Sequence, residues 1–182
     1  MIRDTLSKLD LERRLVNLLR WGRITETIEA QARCRVRVGE LETVPLPWLT
    51  LRAGPDATWW APEEDEQVLV LSPSGDLAQG VILPAVYQSQ HPAPANLTHV
   101  HRHKYADGAV LEYDRNQHRL TAQLPPGATL VVNADGGLSV TGDIAVTGTV
   151  TVSGDVVASG VSLVSHIHGQ VEPGGGSSGP PL

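Results

Sequence analysis

From Gly136 onward the sequence places a glycine at every sixth position, 136, 142, 148, 154 and 160, in the hexads GGLSVT, GDIAVT, GTVTVS, GDVVAS and GVSLVS. This spacing constrains the fold because six is a multiple of the two-residue period of extended chain, so residues of equal parity keep one face through every repeat. The even face carries Leu138, Val140, Ile144, Val146, Val150, Val152 and Val156 between the glycines, and the odd face from 139 to 155 is mostly Ser, Thr and Asp. A face this thin cannot be covered by its own strand. Either the chain coils on itself as a left-handed hexapeptide helix, or several copies wind about a common axis. Self-coiling takes roughly three hexads per turn, so five hexads make fewer than two coils, below the three or so repeats that stacking needs. The repeat therefore predicts three chains wound together as a triple-stranded β-helix, with glycine relieving crowding at the axis.

Continued in the same parity, the inward face reaches His166 and His168 in the terminal stretch VSHIHGQVEPGGGSSGPPL. One chain offers two imidazoles, too few for a stable site; three chains offer six, enough for octahedral coordination. Structural zinc is almost always four-coordinate, whereas divalent iron, cobalt and nickel accept six ligands, and availability in a cell favours iron. With every position filled by protein, such a metal is structural, not catalytic.

The rest of the chain reads differently. Ile2, Leu6, Leu9, Leu15, Val16 and Leu19 fall at helical spacings, predicting an amphipathic helix over 1–20 that packs on the next domain, on copies of itself or into a partner. From Trp21 to about Tyr87 come short runs of period two, GRITETIE, ARCRVRVG, TVPLPWLTL, EQVLVLSP and QGVILPAVY, which suit a small barrel of the OB type over 21–90. Trp59 and Trp60 lie beside the acidic run Glu63-Glu64-Asp65-Glu66, which favours packing over the aromatic-and-basic platform of a single-strand binder. HPAPAN marks a stiff linker over 91–98. His99, His101 and His103 then alternate along LTHVHRHKY, either as an exposed or inter-subunit strand or as metal ligands, with no carboxylate evident beside them.

Nine of the fourteen Lys and Arg lie within residues 1–40 and none follows Arg119, so the C-terminal third has no cations with which to grip nucleic acid or lipid phosphates. The single cysteine, Cys34, fits strand burial in a reducing compartment. The N-terminal stretch lacks a signal-peptide core and no segment has the ~20 apolar residues of a membrane span, so a soluble product made in the cytoplasm is expected.

LPWLTLRAGPDATWWAPEEDEQVLVLSPSGDLAQGVIL, DGAVLEYDRNQHRLTA, the glycine repeat and HIHGQVEPGGGSSGPP together resemble the baseplate assembly protein V family of P2-like contractile phages and phage-tail-like bacteriocins, over residues 15–182. The resemblance implies a mainly β homotrimer: N-terminal helix 1–20, OB-fold collar 21–90, linker 91–98, intertwined shaft 99–165 and an apex 166–182. In that apex His166 and His168 of each chain hold one iron ion (Fe2+) per trimer. It also implies a non-enzymatic central spike in the virion, at the tip of the tail baseplate. The helix and OB domain would join it to hub or tail-tube proteins, and the host outer membrane would be pierced on sheath contraction rather than used as an anchor. The repeat from 138 to 164 reaches at most about 90 Å at ~3.3 Å per residue. A hexapeptide acyltransferase would need more repeats or a second domain, and a sugar-binding fibre tip would need aromatics near the end, yet the last is Tyr113.

Overall fold

The structure, a computed structural model, describes residues 7–167 and Gly174. The chain forms two compact units, residues 1–129 and 130–182.

In the first unit, β1 (Leu19–Ile28), β2 (Arg33–Val38), β3 (Leu41–Glu42), β4 (Leu46–Pro47), β5 (Gln67–Leu71) and β6 (Val81–Leu83) pair antiparallel in the order β3-β2-β1-β5-β6, with β4 also on β2. Trp48, just past β4, bridges Ile82 of β6 in parallel, and the Leu49 N–H donates to the Ile82 carbonyl at 2.8 Å. That bridge closes the sheet into a barrel and leaves no long free edge. The ring order β1-β2-β4-β6-β5 is the OB arrangement that the five short runs predict.

Alternation decides the core. Along β2, Cys34, Val36 and Val38 are buried while Arg33, Arg35 and Arg37 face outward, and Val68 and Val70 of β5 meet them with Ile24, Leu46 and Ile82. Gly22 of β1 leaves room for this packing, since a Cβ there would stand 2.3 Å from Val36 Cγ1. Burial pushes the Cys34 thiol above its ordinary value, so it acts as a small apolar filler.

The helix α1 (Lys8–Asn17) is shorter than the periodicity predicts. Ser7 caps it, accepting from the Asp10 N–H at 3.2 Å, and Arg13 and Arg14 both donate to the Asp10 carboxylate. The hydrogen bond from Arg13, then that from Arg14, holds this carboxyl below its usual range. Helix gives way to strand because Leu19 pairs with Leu71 and the Ser72 N–H donates to the Leu18 carbonyl at 2.8 Å. The expected residues 1–6 of this helix lie outside the described ones. The helix meets the barrel through backbone rather than apolar side chains: a Cβ on Gly75 would lie 2.2 Å from the Arg14 carbonyl oxygen. Its apolar residues Leu9, Leu15 and Val16 stay exposed.

The expected shaft spans 99–165, yet β7 (Val100–Lys104), β8 (Val110–Asp114) and β9 (Arg119–Gln123) form an antiparallel meander grouped with the barrel unit. Arg102 and Glu112 sit directly opposite one another and form an ion pair, and a second Arg102 nitrogen donates to the Pro94 carbonyl at 2.8 Å. The proline linker is thereby pinned to the meander. Asp114 makes the next turn, accepting from the Asn116 and Gln117 N–H groups at 2.8 and 3.1 Å.

In the second unit, residues 130–156 carry no strand pairing; among the described residues its ladder is the hairpin of β10 (Val157–Ala158) and β11 (Val161–Ser162). Leu138, Val140, Ile144, Val146, Val150 and Val152 are all exposed, Leu138 by 74% and Val152 by 47%. Gly142 and Gly148 bend the chain at φ 126° and 130°, a backbone state that side chains with a Cβ rarely adopt.

Ile82 both fills the barrel and makes its closing bridge, so Ile82→Ala is expected to cost about 2–5 kcal/mol in denaturant unfolding; a loss below 1 kcal/mol contradicts this packing. Gly75→Ala should lift α1 off the barrel, seen as protease cleavage within residues 8–17 that the parent resists.

Candidate metal centre

The predicted ligands follow the hairpin. Ser159 and Gly160 lie between its strands at φ 52° and 82°, the all-positive pair of a two-residue turn that suits the twist of flanking strands. The Leu163 N–H donates to the Val156 carbonyl at 2.9 Å, extending the pairing. The chain then wraps around one side chain. The Val164 and Ser165 N–H groups donate to Ser162 Oγ at 3.1 and 2.9 Å, and the Ser165 hydroxyl contacts the same oxygen at 2.9 Å. Asp155 completes the knot, accepting from the Val164 N–H at 3.2 Å. The Ser162 hydroxyl, followed by backbone N–H groups of Val164, Val156 and Leu163, holds the Asp155 carboxyl below its usual value.

This knot fixes His166. Its backbone N–H donates to the Ser162 carbonyl at 3.2 Å, and its ring Nδ1 lies 2.9 Å from the same oxygen. A carbonyl can only accept, so Nδ1 carries the proton and Nε2 holds the lone pair. This is the arrangement of a metal-ligating histidine whose second nitrogen is held by a backbone carbonyl. The donor chemistry at His166 therefore fits a transition-metal ion.

The route by which parity leads to the histidines is corrected by the same geometry. The chain reverses at Ser159-Gly160 and turns again through Leu163–Ser165, so no continuous extended strand carries the inward face to His166. The hairpin wins because its turn residues tolerate positive φ and its serine and aspartate satisfy the reversed backbone. His168 lies outside the described residues. Among the described residues, no three His, Cys, Asp or Glu side chains converge on one point within a single chain.

The three alternating histidines do not converge as a ligand set among the described residues, although two of their rings touch. His99 Nε2 lies 3.9 Å from Asp114 Oδ2. His101 and His103 meet edge to face at 4.9 Å, and His103 lies 5.6 Å from Trp60, which stacks on Tyr105 at 6.0 Å. Asp114 is the carboxylate neighbour that reading along the chain misses, because only the β7–β8 register sets it opposite Val100, next to His99. Burial alone would raise its carboxyl, but the N–H donors of Gln117 and Asn116, with the nearby His99 and Arg119, bring it below the ordinary value.

Two family models match the ends of this architecture. Residues 20–87 match the type VI secretion system/phage-baseplate injector OB domain, which coincides with the closed barrel. Residues 160–181 match the GpV apex motif, beginning at the hairpin turn and including both histidines. The spike protein of Escherichia phage P2 is 39% identical over 139 residues, covering 76% of this chain and 65% of that protein. The matched segments are those of the phage baseplate V spike family. The chain spans less than two thirds of the length of this P2 relative. The apex motif of the family thus starts where the repeat gives up its extended form, and the knot around Ser162 is the part of it that the described residues contain.

Because the folded Asp155 carboxyl sits below its ordinary 3.8, its stabilisation of the knot is complete above that pH and lost as pH falls through the lower folded value. A carbon-detected NMR titration should give Asp155 a midpoint below 3.8 that rises in Ser162→Ala; an unshifted parent midpoint contradicts the knot.

Proposed function

We propose that the protein is the central spike at the tip of a contractile phage tail or a related injection particle, a homotrimer that pierces the host outer membrane when the sheath contracts. The observation that carries this reading is the exposed apolar row of residues 138–152 on a repeat that pairs with nothing in its own chain among the described residues. Hexads that coiled on themselves would pair within the chain; hexads that wind about two other copies leave a single chain looking like this one. The bends at Gly142 and Gly148 suit strands that change direction each repeat as they wrap an axis.

In this role the protein is structural rather than enzymatic. His166 and His168 of three chains hold one iron ion, which cross-links the chain ends into a point when bound. Support comes from the apex-motif match across both residues and from the Nδ1–carbonyl contact that aims the lone pair of His166. The exposed apolar side of α1 and the outer surface of the barrel face the baseplate hub or tail tube. The absence of Lys and Arg after Arg119 suits a needle that must pass anionic lipid and lipopolysaccharide without adhering.

Mass in solution should correspond to three chains, and elemental analysis of protein never exposed to chelator should give one iron per three chains. His166→Ala combined with His168→Ala should lose the metal yet remain trimeric, because the repeat buries its own apolar face. A monomeric parent protein would sink the shaft.

A further inference from the structure

The apex-motif match runs through Ser162, Ser165 and His166, and Asp155 lies just before it; in the fold Asp155, Ser162 and Ser165 gather beside His166. Ser162 is the residue around which this end of the chain closes. Its hydroxyl receives the Val164 and Ser165 N–H groups, and its carbonyl receives both the backbone N–H and the ring Nδ1 of His166. We infer that Ser162, held by Asp155, is a positioning residue for the metal centre: it sets the tautomer and direction of the His166 ring before any ion arrives. This rests on the reading of His166 as a metal ligand.

The argument is one of proton placement. A neutral imidazole in water exchanges its proton between two nitrogens, and only the form with a bare Nε2 can bind a metal through that atom. An acceptor fixed 2.9 Å from Nδ1 selects that form. The acceptor is itself fixed. Ser162 lies at the end of β11, its neighbour Leu163 is tied to Val156, and Asp155 Oδ1 takes the Val164 N–H across the hairpin. The hydroxyl of Ser162 closes the turn whose carbonyl faces the ring, so removing it loosens the acceptor without touching a ligand. Asp155 acts one step further back, through Ser162 and Val164. Every one of these contacts lies within residues 155–166, so each chain orients its own ring.

The test uses the full-length chain labelled with 15N-histidine, stripped of metal by chelator and titrated anaerobically with Fe2+. His166 resonances are assigned against His166→Gln. In the metal-free parent, the ring 15N shifts should report the proton on Nδ1. Ser162→Ala should move the ring toward a mixed tautomer and weaken Fe2+ binding by about 10–100-fold, with the trimer mass unchanged. Asp155→Asn should shift both readouts in the same direction by less, and Ser162→Thr, which keeps the hydroxyl, should restore them. A parent ring protonated on Nε2, or Fe2+ affinity within twofold of parent in both Ser162→Ala and Asp155→Asn, overturns the positioning role while leaving His166 a ligand. Equal Fe2+ binding by the parent and His166→Gln overturns the metal reading itself and this role with it; the His166→Gln arm distinguishes that failure from the first.

Discussion

An extended strand has no interior, and this limit governs the second unit. Residues 130–156 present valine, leucine and isoleucine to solvent, together with backbone donors and acceptors that no strand among the described residues takes up. Burying each such side chain is worth roughly 1.5–3 kcal/mol, so an arrangement that covers the row is stabilised strongly. The barrel shows the opposite solution. Its strands return on one another until Trp48 meets Ile82, and its inward-facing Ile24, Val36, Val38, Leu46, Val68, Val70 and Ile82 are buried within the same chain. One chain therefore joins a unit that closes on itself to one whose apolar row stays exposed, and two of the hexad glycines, Gly142 and Gly148, bend that row's backbone.

What could be read along the sequence follows the same division. Alternation in ARCRVRV placed Cys34, Val36 and Val38 inside β2, because a strand with one wet face must alternate, and the five short runs overlap β1, β2, β4, β5 and β6 while the two-residue β3 lies outside them. The helix was harder to delimit. Leu18 and Leu19 continue a helical pattern, but sheet pairing of Leu19 with Leu71 overrides it, and no local signal encodes a partner fifty residues away. The meander of β7–β9 was legible in its turns but not in its allegiance, since Arg102–Glu112 and Arg102–Pro94 are contacts between segments.

At the apex the sequence led to His166 by an argument of parity that the backbone does not follow. The hexad GVSLVS looks like its predecessors, yet Ser159-Gly160 can take two successive positive φ values and Ser162 can satisfy a reversed turn, so the local chemistry of serine and glycine outweighs the register of the repeat. A preceding aspartate, a Ser-Gly pair and a serine four residues before a histidine were the available signal. It is a signal of side-chain hydrogen bonding to backbone, which periodicity does not measure.

That distinction bears on how an apex of this kind can form. In the proposed spike, joining three chain ends at one ion is opposed by the entropy of ordering each of them, and ends are the segments that fray most readily. The knot lowers that cost before assembly, because the turn, the acceptor carbonyl and the ring of His166 are ordered by contacts no more than about a dozen residues apart in one chain. Association then has to align rings that are already turned to bind, rather than to fold them. In the spike proposed above, the repeat supplies the driving force for three chains to meet, the hairpin stops the repeat, and the serine at its end determines which nitrogen of His166 is presented.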